Sequence, residues 1–199
     1  MRKRAVCAPM MTLCLLLAAC GGGGGAGNTD ELALDIRSDY IAMNGCTAKL
    51  DVTADYGQRV YDYTLALTYA KDGDTTLTVE APQEIAGITA RLTGGSAVLE
   101  YDGVSLETGP LDTSGLSPIG CAPYLLSCAR EAFIAESGLE TVGESETLRC
   151  TYRDPDSTPG TGTEVSLWFD TNTHAPVQGE ILSDGAQIIK CTVTDFAMT

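Results

Sequence analysis

Arg59-Val60-Tyr61-Asp62-Tyr63-Thr64-Leu65-Ala66-Leu67-Thr68-Tyr69 is the stretch whose reading decides the fold. Apolar or aromatic side chains hold every odd position from Tyr61 to Tyr69, with Asp62, Thr64, Ala66 and Thr68 between them. Side chains alternate across the two faces of a strand, so this period of two specifies a sheet with one apolar face. The alternation recurs with Leu77 and Val79, with Ile88, Ala90 and Leu92, and with Ala97, Leu99 and Tyr101. Asp72-Gly73, Gly94-Gly95, Asp102-Gly103 and Asp184-Gly185 supply residues that tolerate the positive φ of tight hairpins. Consecutive hairpins predict an antiparallel meander rather than βαβ units.

Helical spacing flanks and interrupts this meander. Asn28-Thr29-Asp30-Glu31 has the pattern of a helix cap, and Leu32, Ile36, Tyr40 and Met43 follow on one stripe until Asn44-Gly45. Pro110, Pro118 and Pro123 predict a loop that enters a second helix over 124–136, with Leu125, Cys128, Ala129, Ala132 and Phe133 as its apolar stripe. Strand patterns resume over 147–152, 164–170, 176–182 and 187–196, and 154–163, rich in Pro, Gly, Ser and Thr, reads as a surface loop. The expected fold is α+β: a curved antiparallel half-barrel of about 9–10 strands, with two helices covering its concave face.

Upstream of the first helix the chain changes character. Arg2, Lys3 and Arg4 precede an apolar run over 5–17, which closes on Leu17-Ala18-Ala19-Cys20. This pattern resembles a bacterial lipobox, which implies cleavage before Cys20 and attachment of diacylglycerol to its sulfur. Acyl chains bury CH₂ groups at roughly 0.8 kcal/mol each, so such a chain stays on a membrane it does not span. Residues 1–19 are then a signal peptide, 20–28 a lipidated cysteine with a Gly-rich tether, and 29–199 one domain. The eight residues of the tether reach roughly 16 Å as a flexible coil. The expected location is the extracytoplasmic side of the cell membrane.

Loss of Arg2, Lys3 and Arg4 leaves 9 of the 12 Lys and Arg against 27 Asp and Glu, a formal charge of −18. Such a surface repels nucleic acid and gains nothing from anionic lipid. Cys46, Cys121, Cys128, Cys150 and Cys191 remain in the domain, an odd set that allows at most two disulfides in unassigned pairing, or plain buried thiols.

The element order also resembles the LolA/LppX-type family of lipoprotein and lipid carriers. Leu167-Trp168-Phe169-Asp170-Thr171-Asn172-Thr173, with Pro176 and then Glu180-Ile181-Leu182-Ser183-Asp184-Gly185, is similar to that family's late hairpins. Ala81-Pro82-Gln83-Glu84-Ile85-Ala86-Gly87-Ile88 and Tyr101-Asp102-Gly103 are similar to its middle ones. The resemblance implies an incomplete barrel whose inner face holds acyl chains. Tyr61, Tyr63, Leu65, Leu67, Leu77 and Val79 would then face Leu125, Ala129 and Phe133 across a cavity. Alternation alone serves a dry core equally well. A fixed lipid tether also departs from a soluble shuttle.

Catalytic and metal constellations do not assemble in the sequence. His174 is the single histidine, placed in a turn, and no Gly-x-Ser-x-Gly elbow is present. Asp72-Gly73-Asp74 and Asp154-Pro155-Asp156 lack the continuation of a calcium loop, and no cofactor motif is found. Trp168 shares a strand face with Ser166 and Asp170, open to a ligand or covered by a helix or loop. Two functions follow as expectations, neither enzymatic. One is a tethered module that shelters a lipid or lipoprotein acyl chain. The other is an envelope structural or sensory domain with a solid core. Oligomeric state is not specified by the sequence.

Overall fold

The computed structural model describes residues 26–110 and 113–199. The signal segment, Cys20 and the glycine run lie outside the described residues. Helix α1 covers Ala26–Ala42, so residues 26–28, expected as the end of the tether, are helical. Asn28 and Thr29 therefore sit in its first turns and do not cap it. Ala33, Ile36, Tyr40 and Met43 are buried along one stripe. The chain then forms β1 (Gly45–Asp55), β2 (Val60–Ala70), β3 (Thr75–Ala81), β4 (Thr89–Thr93), β5 (Ser96–Tyr101) and β6 (Val104–Pro110). Helix α2 (Pro118–Glu131) follows, then β7 (Ile134–Val142), β8 (Ser145–Tyr152), β9 (Thr163–Asp170), β10 (Pro176–Ser183) and β11 (Ala186–Met198).

All eleven strands belong to one open, curved antiparallel sheet in the order β6-β5-β4-β3-β2-β1-β11-β10-β9-β8-β7. The two halves of the meander join at the middle of the sheet, where β1 pairs with β11, from Cys46 against Met198 to Ala54 against Ile189. Hairpin chemistry behaves as the sequence requires at Gly94-Gly95, Asp102-Gly103 and Asp184-Gly185, all six with positive φ. Asp72-Gly73 lies in a longer turn between β2 and β3 and does not use that conformation.

Three expectations are corrected at α2. The helix starts six residues earlier than 124, ends at Glu131, and an eleventh strand, β7, replaces its expected last turn. Ser117 is the N-cap, its Oγ accepting from the Gly120 N–H at 3.0 Å, and Pro118 takes the first turn, where its missing N–H costs nothing. Pro123 stands inside the helix. An interior proline forfeits one backbone hydrogen bond and crowds the carbonyl four residues before it. Burial of Cys121, Ala122, Leu125, Leu126, Cys128 and Ala129 on the helix's inner side outweighs that loss.

The core lies between the helices and the inner face of the sheet. Tyr40 is fully buried there, edge-on to Phe169 at 5.4 Å and stacked with Phe196 at 6.2 Å, and its hydroxyl donates to the His174 carbonyl at 3.1 Å. Arg37 joins the two helices. Its guanidinium donates to the carbonyls of Ala129 and Ala132, capping the C-terminus of α2 where the helix dipole favours a cation. Helix α1 packs chiefly over β7 and β8, and α2 over β9, β1 and β2, rather than over the wing from β3 to β6.

Candidate functional site

Cross-strand register builds the inner face as rows. One row runs Ala48, Leu67, Leu77, Ala90, Leu99 and Leu106 from β1 out to β6. Leu65, Leu67 and Leu77 are buried on this face, with Leu125 and Ala129 buried in α2. Val79 and Tyr63 are half-buried at the core's margin. Tyr61 is 38 % exposed, with its ring 6.4 Å from Tyr63 and 6.2 Å from Tyr56, so this end of β2 is open to solvent.

Phe133 is the clear departure. It follows the end of α2 and is 54 % exposed, because the helix stops before the residue could turn inward. With Tyr124, Cys128, Tyr152, Arg153 and Pro155 it lines a side cleft of about 510 Å³ between α2 and the β8–β9 loop. The Arg153 guanidinium is already neutralised there, 3.0 Å from a Glu136 carboxylate oxygen and 3.9 Å from one of Glu164.

Beneath α2 the space is closed. The gap bounded by Leu67, Leu125, Ala129, Leu167, Phe169 and Phe196 has a volume of about 30 Å³. That is room for one water, whereas ligand pockets run about 300–1,000 Å³. The helix lies so close that a Cβ on Gly179 of β10 would come 2.8 Å from Leu125 Cδ1.

Polar groups of His174 and Trp168 are engaged in holding the fold. His174, in the β9–β10 turn with φ of +57°, places Nδ1 2.6 Å from a carboxylate oxygen of Asp39 and so ties the turn to α1. Trp168 is buried on the outer face. Its cross-strand neighbours are Arg149 and Gln178, and its Nε1 donates to Glu140 at 2.8 Å. The Arg149 Nε lies 3.2 Å from the other Glu140 oxygen. The five cysteines among the described residues are buried free thiols, and burial pushes Cys121 up to about 12 and Cys46, Cys128 and Cys150 up to about 11. No three metal-ligating side chains converge among the described residues. Nor, among them, is any helix long and apolar enough to cross a membrane.

No family model matches the chain. No curated protein sequence matches it either. Solved structures do. A conserved protein of uncharacterized role from Thermus thermophilus aligns with a TM-score of 0.51 at 10 % identity, over 85 % of this chain and 87 % of that one. A LolA superfamily protein from Nitrosomonas europaea aligns with a TM-score of 0.43 at 12 % identity, over 88 % and 94 %. The lipoprotein LppX from Mycobacterium tuberculosis aligns with a TM-score of 0.41 at 16 % identity, over 85 % and 93 %. The likeness is one of fold: an open curved antiparallel sheet carrying two helices.

Proposed function

We propose that this chain is an extracytoplasmic lipoprotein held on the membrane through Cys20, and that its domain is a non-catalytic interaction module with a solid core. The observation that carries the second half is the gap of about 30 Å³ between sheet and α2. An acyl chain entering there would have to displace Leu125, Ala129 and Phe169, buried residues that join the helix to the sheet. The lipobox pattern around Cys20 and the Gly-rich run after it support the first half.

A second reading, a module that binds an acyl group, draws support from the side cleft of about 510 Å³ beside Phe133, whose volume falls in the ligand range of about 300–1,000 Å³. Native mass spectrometry of the full chain carrying Cys20→Ser separates the two. The apoprotein mass is expected, and a co-purifying lipid lost on Phe133→Asp would favour the second reading. Metabolic labelling with a fatty-acid probe tests the anchor: the wild type takes up label, and equal labelling of Cys20→Ala refutes it.

A further inference from the structure

The row Ala48–Leu67–Leu77–Ala90–Leu99–Leu106 is buried at its first four positions and half-buried at Leu99, yet it ends on a leucine that is 62 % exposed. Tyr101 and Val104, cross-strand partners on the same inner face, are 55 % and 70 % exposed. Three large apolar side chains thus stand exposed together on one hairpin, away from the strands over which the helices chiefly pack. Beside them runs β6, whose far edge pairs with no strand among the described residues.

An open edge offers a row of unmade backbone hydrogen bonds, and proteins that must avoid strangers protect such edges with lysine, proline, bulges or a covering element. Among the described residues β6 is protected only at one end, where Gly109 and Pro110 follow a register shift against Ala97 and Val98. From Val104 to Glu107 it is exposed on both faces. The opposite edge, β7, is partly shielded by α1, where Ser137 donates to Asp30 at 2.8 Å.

Charge selects the partner. The hairpin of β5 and β6 contains Glu100, Asp102 and Glu107 and no lysine or arginine. Arg91 on β4 serves Glu100 and Asp74, at 3.3 and 3.2 Å. Among the described residues no cation pairs with Asp102 or Glu107. A second copy of this chain would bring Glu107 and its own net negative charge against their like, and anionic lipid would be repelled in the same way.

We propose that β6 accepts an extended polypeptide segment in which apolar and basic residues alternate. The register gives the alternation a reason. A strand added about 4.8 Å outside β6 would set every second side chain beside Val104 and Leu106 on the inner face, continuing the apolar row. The side chains between them would meet Ser105 and Glu107 on the outer face, where a cation finds an unpaired carboxylate. This rests on the interaction-module reading and names the partner's chemistry.

The test uses fluorescence anisotropy with the full chain carrying Cys20→Ser and a labelled octapeptide of alternating valine and lysine. Saturable binding is expected. Leu106→Asp should weaken it by more than about tenfold, and Glu107→Lys should weaken it and flatten its dependence on salt. Both residues are exposed, so unchanged urea midpoints confirm that the variants fold. A valine–glutamate peptide, and a valine–lysine peptide N-methylated at alternate residues, should not bind. Absent binding overturns the proposal, as does binding that survives both substitutions or N-methylation. So does self-association in ultracentrifugation, or flotation with phosphatidylglycerol vesicles, that Leu106→Asp abolishes. The solid-core reading fails separately: it falls to a lipid in the native mass spectrum of the same sample, whatever the peptide does.

Discussion

Gly179 shows how one residue records the docking of a helix. It pairs with Leu167 and Cys191 in the middle of the sheet, where a glycine ordinarily weakens a strand. Its value lies in the absent side chain: a Cβ there would sit 2.8 Å from Leu125 Cδ1 and 3.2 Å from Leu167 Cδ2. Gly179→Ala should therefore destabilise the domain by about 1–3 kcal/mol in urea unfolding, as overpacking does. Combined with Leu125→Ala it should cost less than the two single changes added together, since the truncated leucine no longer occupies the space. Strand alternation alone gave no sign of this contact. The residue that touches Gly179 is more than fifty positions away in sequence.

At the scale of elements, the β9–β10 turn is organised by one carboxylate. Asp170 accepts from the Thr173 N–H at 2.8 Å, the Thr173 hydroxyl at 2.9 Å and the Asn172 N–H at 3.0 Å. The Thr173 backbone bond above all, then its hydroxyl, the Asn172 N–H and the nearby His174, hold this carboxyl below its ordinary 3.8. A depressed folded value means stability that is fully present above the unfolded value and lost as pH falls through the folded one. The ionised Asp170 thus favours the fold near neutrality. Asp170→Asn should lower the urea midpoint at about pH 6, and the gap to wild type should shrink once the pH drops below about 3.8. The turn was legible from Asp170, Thr173 and Pro176, a local pattern. The ends of α2 were not, because Arg37 of α1 caps its last carbonyls and tertiary burial tolerates Pro123.

For the whole molecule, the five thiols report on how completely the core is closed. Each is buried, and burial drives each toward the protonated, unreactive form, Cys121 and Cys191 most of all. At about pH 8 a disulfide reagent should modify Cys46, Cys121, Cys128, Cys150 and Cys191 only as fast as the domain opens, so the rate should follow unfolding as urea is added. Prompt modification in the folded state would mean a core more open than a gap of about 30 Å³ allows.

Period-two alternation and positive-φ turn pairs by themselves determined an antiparallel meander with one apolar face, because strand geometry and hairpin chemistry are local properties of a few adjacent residues. Spacing of three to four residues likewise determined the stripe of α1. Only the tertiary structure decided whether that face encloses a cavity or a packed core, that Phe133 lies outside it, that 134–142 is a strand, and that the row ending at Leu106 is left uncovered. Each of these depends on how near a helix comes to a sheet and where it stops. Such distances are set by contacts between segments far apart in the chain, and no periodicity encodes them.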